Sequence, residues 1–262
     1  MERLLWKCLE GANLISRKIV IITGAASGIG QACARMFSQQ GGLLALVDLD
    51  YEALQKTCKE IESQGGKALA IKADVTRERD LDRIFQATHD AYHGLNVLIN
   101  NVGGGRATDF FEIGIDEWKQ VIDLNLTSVF LISQRASDIF RKQKEGVIVN
   151  VSSQAGRSVS PTAGCHYTSS KAAVLGLTRH MARILAPYNI RVNAVCPGIT
   201  NSERIMKRLE AQGKMEEVAR AIPLGRIGDV YEVAGCCLFL ASDLSAYVTG
   251  ATLDVNGGSL MI

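Results

Sequence analysis

Tyr167 and Lys171 stand four residues apart in Cys165-His166-Tyr167-Thr168-Ser169-Ser170-Lys171. On a helix that spacing is about one turn, so the phenol and the ammonium share a face. A neighbouring cation favours phenolate over phenol, which is expected to draw the tyrosine pKa down from about 10. Far upstream lies a glycine-rich stretch, Thr23-Gly24-Ala25-Ala26-Ser27-Gly28-Ile29-Gly30. If it follows a strand and opens a helix, its backbone N–H groups and the positive helix end suit a pyrophosphate. A proton-transferring tyrosine combined with a dinucleotide turn points to nicotinamide-dependent redox chemistry.

The glycines at 24, 28 and 30 read G-x-x-x-G-x-G, which departs from the usual G-x-G-x-x-G spacing. Alone, such a cluster is often just a tight turn. Asp48 adds weight, standing eighteen residues beyond Gly30 at the end of the next apolar run. A carboxylate there can accept the hydroxyls of an adenosine ribose and would repel a 2′-phosphate. The glycine turn holds no arginine or lysine to receive that phosphate, so NAD is favoured over NADP. Ser152 and Ser153 close a later apolar run, where ligands gather in open α/β sheets. One of the two can hydrogen-bond a reacting oxygen, and the other is a strand-end serine. Asn125, within Val121-Ile122-Asp123-Leu124-Asn125-Leu126, is a buried amide whose spacing suggests a structural brace.

Positioning these groups requires strands alternating with helices. Apolar runs at 18–23, 43–48, 67–72, 95–100, 147–152, 190–196 and 252–255 read as strands. Helical patterns fill 28–40, 51–61 (capped by Asp50), 77–93 (ended by Gly94), 116–144 and 166–186, and Asp229-Val230-Tyr231-Glu232 reads as a capping box opening a further helix. The strands are continuously hydrophobic, as in a parallel sheet covered on both faces. The expected fold is therefore α/β: a Rossmann-type doubly wound parallel sheet of seven strands, in a single domain over 14–262 behind an N-terminal extension of residues 1–13. Residues 199–226 mix apolar and cationic positions at helical spacing and are expected to form an amphipathic lid over the site. Its cations Arg204, Lys207, Arg208, Lys214 and Arg220, or Arg106 and Arg157, could receive an anionic substrate, although such charge runs usually face water.

Bulk properties exclude other classes. With 47% apolar and 21% charged residues the chain is ordinary for a globular protein, and a formal net charge of +2 offers no field suited to nucleic acid or an anionic membrane. No apolar run approaches the length of a membrane span. The seven cysteines include no C-x-x-C pair, so they read as reduced thiols of a cytoplasmic protein rather than a disulfide framework or zinc site.

Taken together, these pieces resemble the short-chain dehydrogenase/reductase family over roughly residues 14–262. The matching motifs run in family order: Thr23 to Gly30, Asp48, Asp74-Val75, Asn100-Asn101-Val102-Gly103, Asn125, Ser153, Tyr167 with Lys171, Pro197-Gly198, and Asn256-Gly257-Gly258. The resemblance implies that Tyr167 is the general acid/base, that Lys171 binds the nicotinamide ribose, and that Ser153 orients the substrate oxygen. It further implies that Asn125 holds a water linking Lys171 to solvent, which replaces the structural reading. Gly24, Ser27, Gly28, Ile29 and Gly30 would cradle the cofactor, and Asp74, Val75 and Asn101 would meet its adenosine half. Pro197, Gly198, Ile199 and Thr200 would meet the nicotinamide. Val102 stands where the family usually has alanine, and Ser202 stands where many members have threonine. The expected activity is NAD-linked interconversion of a secondary alcohol and a ketone in a homotetramer. Alternatives are a 3-oxoacyl-carrier-protein reductase-like ketoreductase and a non-catalytic NAD-binding scaffold.

Overall fold

Four consecutive side chains of the first strand show why the chain folds in layers. In β1 (Ile19–Thr23), Val20 and Ile22 enter one core cluster while Ile19 and Ile21 enter the other. In β2 (Leu43–Asp48), Leu44 and Leu46 join the first cluster and Ala45 and Val47 the second. Successive strand residues point to opposite faces, so a run without polar interruption needs cover on both sides.

The computed structural model describes residues 13–160 and 162–262; the expected N-terminal extension up to residue 12 and Pro161 lie outside the described residues. The remaining strands are β3 (Lys67–Lys72), β4 (Val97–Asn100), β5 (Gly146–Val151), β6 (Ile190–Pro197) and β7 (Thr252–Val255). They form one parallel sheet in the order β3-β2-β1-β4-β5-β6-β7. One face is covered by α1 (Gly28–Gln39), α2 (Tyr51–Ser63) and α9 (Val230–Ala241), whose Phe37, Leu54 and Leu238 share a cluster with Leu44 and Ile22. The other carries α3 (Glu78–Tyr92), α5 (Ser128–Gln143) and α6 (Cys165–Leu185), contributing Leu81, Phe140 and Met181. This is the doubly wound parallel sheet expected. Strand order reverses between β1 and β4, and a ligand crevice belongs outside the carboxyl ends there.

Local signals account for most boundaries. The Asp50 side chain accepts from Ala53 N–H at 3.0 Å and starts α2. Asp229 and Glu232 form the reciprocal capping box that starts α9. Most ends fall within two residues of expectation, and two of the differences have a clear local cause. α3 ends at Tyr92, two residues before Gly94, because His93 itself takes the left-handed conformation (φ 63°). The expected helix over 116–144 is three pieces: α4 (Ile115–Ile122), a π-helical turn over Asp123–Thr127, and α5. Such bulges inside helices often accompany functional sites, and this one carries Asn125.

The segment expected to form a lid consists of α7 (Glu203–Ala211) and α8 (Met215–Ala221), with Leu209 and Ile222 buried. No helix among the described residues is long and apolar enough to cross a membrane.

Phe140 is wholly buried between α5 and the sheet. Phe140→Ala is expected to destabilise the protein by about 3–5 kcal/mol, read as a lower midpoint in urea denaturation with an unchanged slope.

Candidate active site

The loops at the carboxyl ends of β1, β2, β4, β5 and β6 open into one cavity of about 1200 Å³. Ordinary small-molecule sites are roughly 300–1,000 Å³, so this one has room for a cofactor together with a substrate. Its walls include Gly24, Ser27, Gly28, Ile29, Asp48, Asp74, Val75 and Asn101, all expected at a dinucleotide. Ser153, Tyr167, Lys171, Pro197, Gly198, Ile199 and Thr200 line the same space.

At one end the glycine turn leaves β1 and enters α1. The α1 N-cap, Ser27, makes no side-chain cap, so the first N–H groups of the helix are left to an incoming acceptor. Gly30 does not line the cavity. A Cβ there would fall 2.0 Å from the Gly24 carbonyl oxygen, so its role is to let the turn close. Asn101 likewise acts on the turn, its amide donating to the Thr23 and Gly24 carbonyls at 3.0 and 3.1 Å. Asp48 accepts from Ala26 N–H at 3.0 Å and Asp50 N–H at 3.1 Å, which fixes its carboxylate at the cavity wall. Asp74 is held by both the N–H and the hydroxyl of Thr76. This set of donors, carboxylate and close-packed glycines fits a dinucleotide.

At the other end α6 presents Tyr167 and Lys171 from its first two turns. The Lys171 side chain is 3% exposed, and its ammonium donates to the Val151 carbonyl at 2.9 Å. Burial lowers its pKa to about 8. The ammonium lies 5.9 Å from the Tyr167 ring centroid. The expected fall in the Tyr167 pKa is not what the protein alone produces. Burial of the phenol raises it, and a hydrogen bond with Ser153 and the charge of Arg204 act in the opposite direction. Ser152 proves to be the strand-end serine: it is buried, and its hydroxyl donates to the Lys171 carbonyl at 2.8 Å. Ser153 faces the cavity.

Asn125 is completely buried and does not line the cavity. Its amide donates to the Gly104 and Val121 carbonyls, both at 2.8 Å, and its oxygen accepts from Gly104 N–H at 3.0 Å. The amide is thus the brace that spacing suggested. It also lies within the site's second layer, since a Cβ on Gly103 would meet both Asn125 Oδ1 (2.7 Å) and Lys171 Nζ (2.8 Å).

Gln154, Ala155 and Val159 also line the cavity, but His166, the neighbour of Tyr167, does not. Its ring is wholly buried, with Nδ1 accepting from Tyr167 N–H at 3.0 Å. Nε2 therefore carries the proton and donates to Glu117, also at 3.0 Å. Thr108 and His166 together hold the Glu117 carboxyl below its usual range. Sequence reasoning missed this Glu117–His166 strut beneath Tyr167, because α4 and α6 are far apart along the chain. Among the cations proposed for an anionic substrate, Arg157 is bound to Asp254 at 3.0 Å and Arg106 faces Glu117 and Gln120. Neither lines the cavity.

Comparison with known proteins agrees with this geometry. A family model described as enoyl-(acyl carrier protein) reductase matches residues 24–259. The chain belongs to the short-chain dehydrogenase/reductase family. It is 39% identical to a 3-oxoacyl-[acyl-carrier-protein] reductase of Thermotoga maritima, over 92% of this chain and 97% of that protein. It is 35% identical to a 3α-hydroxysteroid dehydrogenase of Mediterraneibacter gnavus, over 94% and 98% respectively. The crystal structure of a 3-oxoacyl-[acyl-carrier protein] reductase with bound NAD from Brucella melitensis superposes with a TM-score of 0.89, at 34% identity, covering 98% of this chain and 96% of that one. The protein is accordingly a short-chain oxidoreductase acting on CH–OH groups.

Removing the Asn125 amide would strand Gly104 N–H and two carbonyls. Asn125→Ala is expected to cost about 1–3 kcal/mol in denaturation and to raise KM for the cofactor as the 103–105 loop loosens. An unchanged KM would place the brace outside the site's function.

Proposed function

We propose that this short-chain dehydrogenase/reductase interconverts a secondary alcohol and a ketone with NAD, using Tyr167 as general acid/base. One observation carries the reading: Tyr167, hydrogen-bonded with Ser153, lines the same cavity as the uncapped N-terminus of α1 and Asp48. NAD, when bound, supplies the hydride acceptor for oxidation and, reduced, the hydride donor for reduction. In oxidation Tyr167, as phenolate, accepts the proton of the substrate hydroxyl and becomes the phenol; in reduction the phenol donates that proton to the carbonyl oxygen and becomes the phenolate. Ser153 donates a hydrogen bond to the substrate oxygen and keeps it within reach of the phenol. Lys171 holds positive charge beside the phenol, which favours the phenolate that burial alone disfavours. Asn125 keeps Gly103 and Gly104 in place against this pair, and so sets the floor of the nicotinamide end.

The preference for NAD rests on Asp48. The cations lining the cavity are Lys171 at the tyrosine and Arg204, Lys207 and Arg208 on α7, and none is adjacent in sequence to Asp48 or Asp74. A 2′-phosphate at the adenosine end would therefore meet carboxylates. The Brucella relative, whose crystal structure contains NAD, supports the same choice. A ketoreductase direction, as the names of the acyl-carrier-protein reductases indicate for those proteins, would use the same residues in reverse. A homotetramer is proposed from the resemblance to the family; exposed Phe110, Phe111 and Ile115 before and on α4, and Tyr247, Met261 and Ile262 near the C-terminus, offer apolar surface for it. A cytoplasmic location fits the free cysteines.

Positioned proton transfer contributes about two to four powers of ten in rate. Tyr167→Phe is expected to lose that much turnover across a panel of secondary alcohols and ketones, while still quenching or enhancing NADH fluorescence on binding. In the same assay wild-type protein is expected to bind NADH more tightly than NADPH. Retained turnover in the variant would refute the role of Tyr167, and tighter NADPH binding would refute that of Asp48.

A further inference from the structure

Four cations line the cavity, and two of them have no partner. Lys171 donates to Val151, and Lys207 pairs with Glu203 at 2.6 Å on the outer side of α7. The side chains of Arg204 and Arg208 make no hydrogen bond or ion pair with any described residue, although both line the cavity. They are four residues apart on α7, hence on one face of that helix. The Arg208 Nε is buried from solvent without an acceptor. Arg204 is exposed and Arg208 half-buried, so both guanidinium groups are open to an acceptor that enters the cavity.

Arg204 occupies a definite position. A Cβ built on Gly104 would lie 3.6 Å from its Nη1, and the adjoining Gly105 packs against the Tyr167 ring. The guanidinium therefore stands at the proton-transfer end of the cavity. The α7 N-cap, Ser202, is the residue of this segment that approaches the glycine turn, with its Cβ 3.5 Å from a Cβ placed on Gly28. The carboxylates of the cavity wall are spoken for: Asp48 and Asp74 accept backbone N–H groups at the adenosine end, and Glu203 pairs with Lys207. A paired guanidinium face without a counter-charge matches a planar oxyanion, which arginine can bind through two parallel N–H bonds.

We propose that the substrate is an anionic hydroxy or oxo compound, whose carboxylate or phosphate is received by Arg204 with Arg208 one turn behind it. This rests on the dehydrogenase reading above and adds the substrate class to it. Specificity would then come from the lid: α7 brings positive charge to the reacting centre only when it lies over the cavity, and a neutral alcohol of the same shape would leave Arg204 and Arg208 unmatched. A site built around a charged partner discriminates strongly against analogues that lack it.

The test uses the full-length protein with NAD or NADH and two matched series. In the first, oxo acids with one to four carbons between ketone and carboxylate are compared with their methyl esters. In the second, keto-alkyl phosphates are compared with the parent hydroxyketones. The expected result is a kcat/KM preference for the anion of about 10- to 100-fold in one series, identifying carboxylate or phosphate as the group. Arg204→Gln is expected to bring that preference close to one, through a higher KM for the anion, and Arg204→Lys to restore part of it. Turnover of esters or hydroxyketones with no anion preference in either series would overturn the proposal and leave the dehydrogenase reading standing. A loss in Arg204→Gln that falls on the KM for NAD, with the anion preference intact, would overturn it by assigning the guanidinium to the cofactor. Cofactor binding without turnover of any compound would overturn both.

Discussion

A buried ammonium organises the site. Lys171 has one hydrogen-bond acceptor, the Val151 carbonyl, in a setting that removes it from water. With the folded-state value lowered to about 8 from an ordinary 10.5, the unfolded chain holds this proton more firmly than the native one. The sign follows directly: below pH 8 the buried charge opposes folding, and that opposition is relieved as pH rises from about 8 to 10.5. A protein keeps such a group where its charge has a task, and stability is commonly given up at functional sites. Under the proposed mechanism that task is to stand beside Tyr167, whose own burial disfavours the phenolate.

The surroundings make sense as the means of keeping these two groups in register. Ser152 ties the end of β5 to the backbone of Lys171. Asn125, set on a π-helical turn, reaches across to Gly104, and Gly103 and Gly105 allow that loop to touch Lys171 and Tyr167. Beneath, His166 and Glu117 lock the first turn of α6 to α4. Strands supply rigidity and loops supply chemistry, at the strand ends where an open α/β sheet gathers its ligands. The switch between β1 and β4 then places the glycine turn and the tyrosine helix on one cavity.

Much of this was legible in the residues. The apolar run of β2 gave its bounds to the residue, because a strand covered on both faces tolerates no polar interruption. The Asp50 and Asp229 caps were readable because capping is a local interaction within a few residues. Gly24, Asp48, Ser153, Tyr167 and Lys171 were singled out in sequence and share one cavity. What could not be read depends on distant packing. The π-turn at 123–127 keeps nearly helical periodicity, so the stretch looked like one helix. The i,i+4 pairing of Tyr167 and Lys171 suggested a lowered phenol pKa, but the spacing carries no information on burial, which sets the direction here. The Glu117 partner of His166 could not be read, because α4 and α6 are far apart along the chain. Gly30 looked like a cofactor contact, whereas its lack of a side chain serves the turn itself.

The most direct measurement is an NMR titration of the Lys171 ε-methylene, assigned by comparison with Lys171→Met, in cofactor-free protein. The account predicts a midpoint near 8. A midpoint at the ordinary lysine value of 10.5 would show an ammonium open to water, and the buried cation beside Tyr167 would not exist as described.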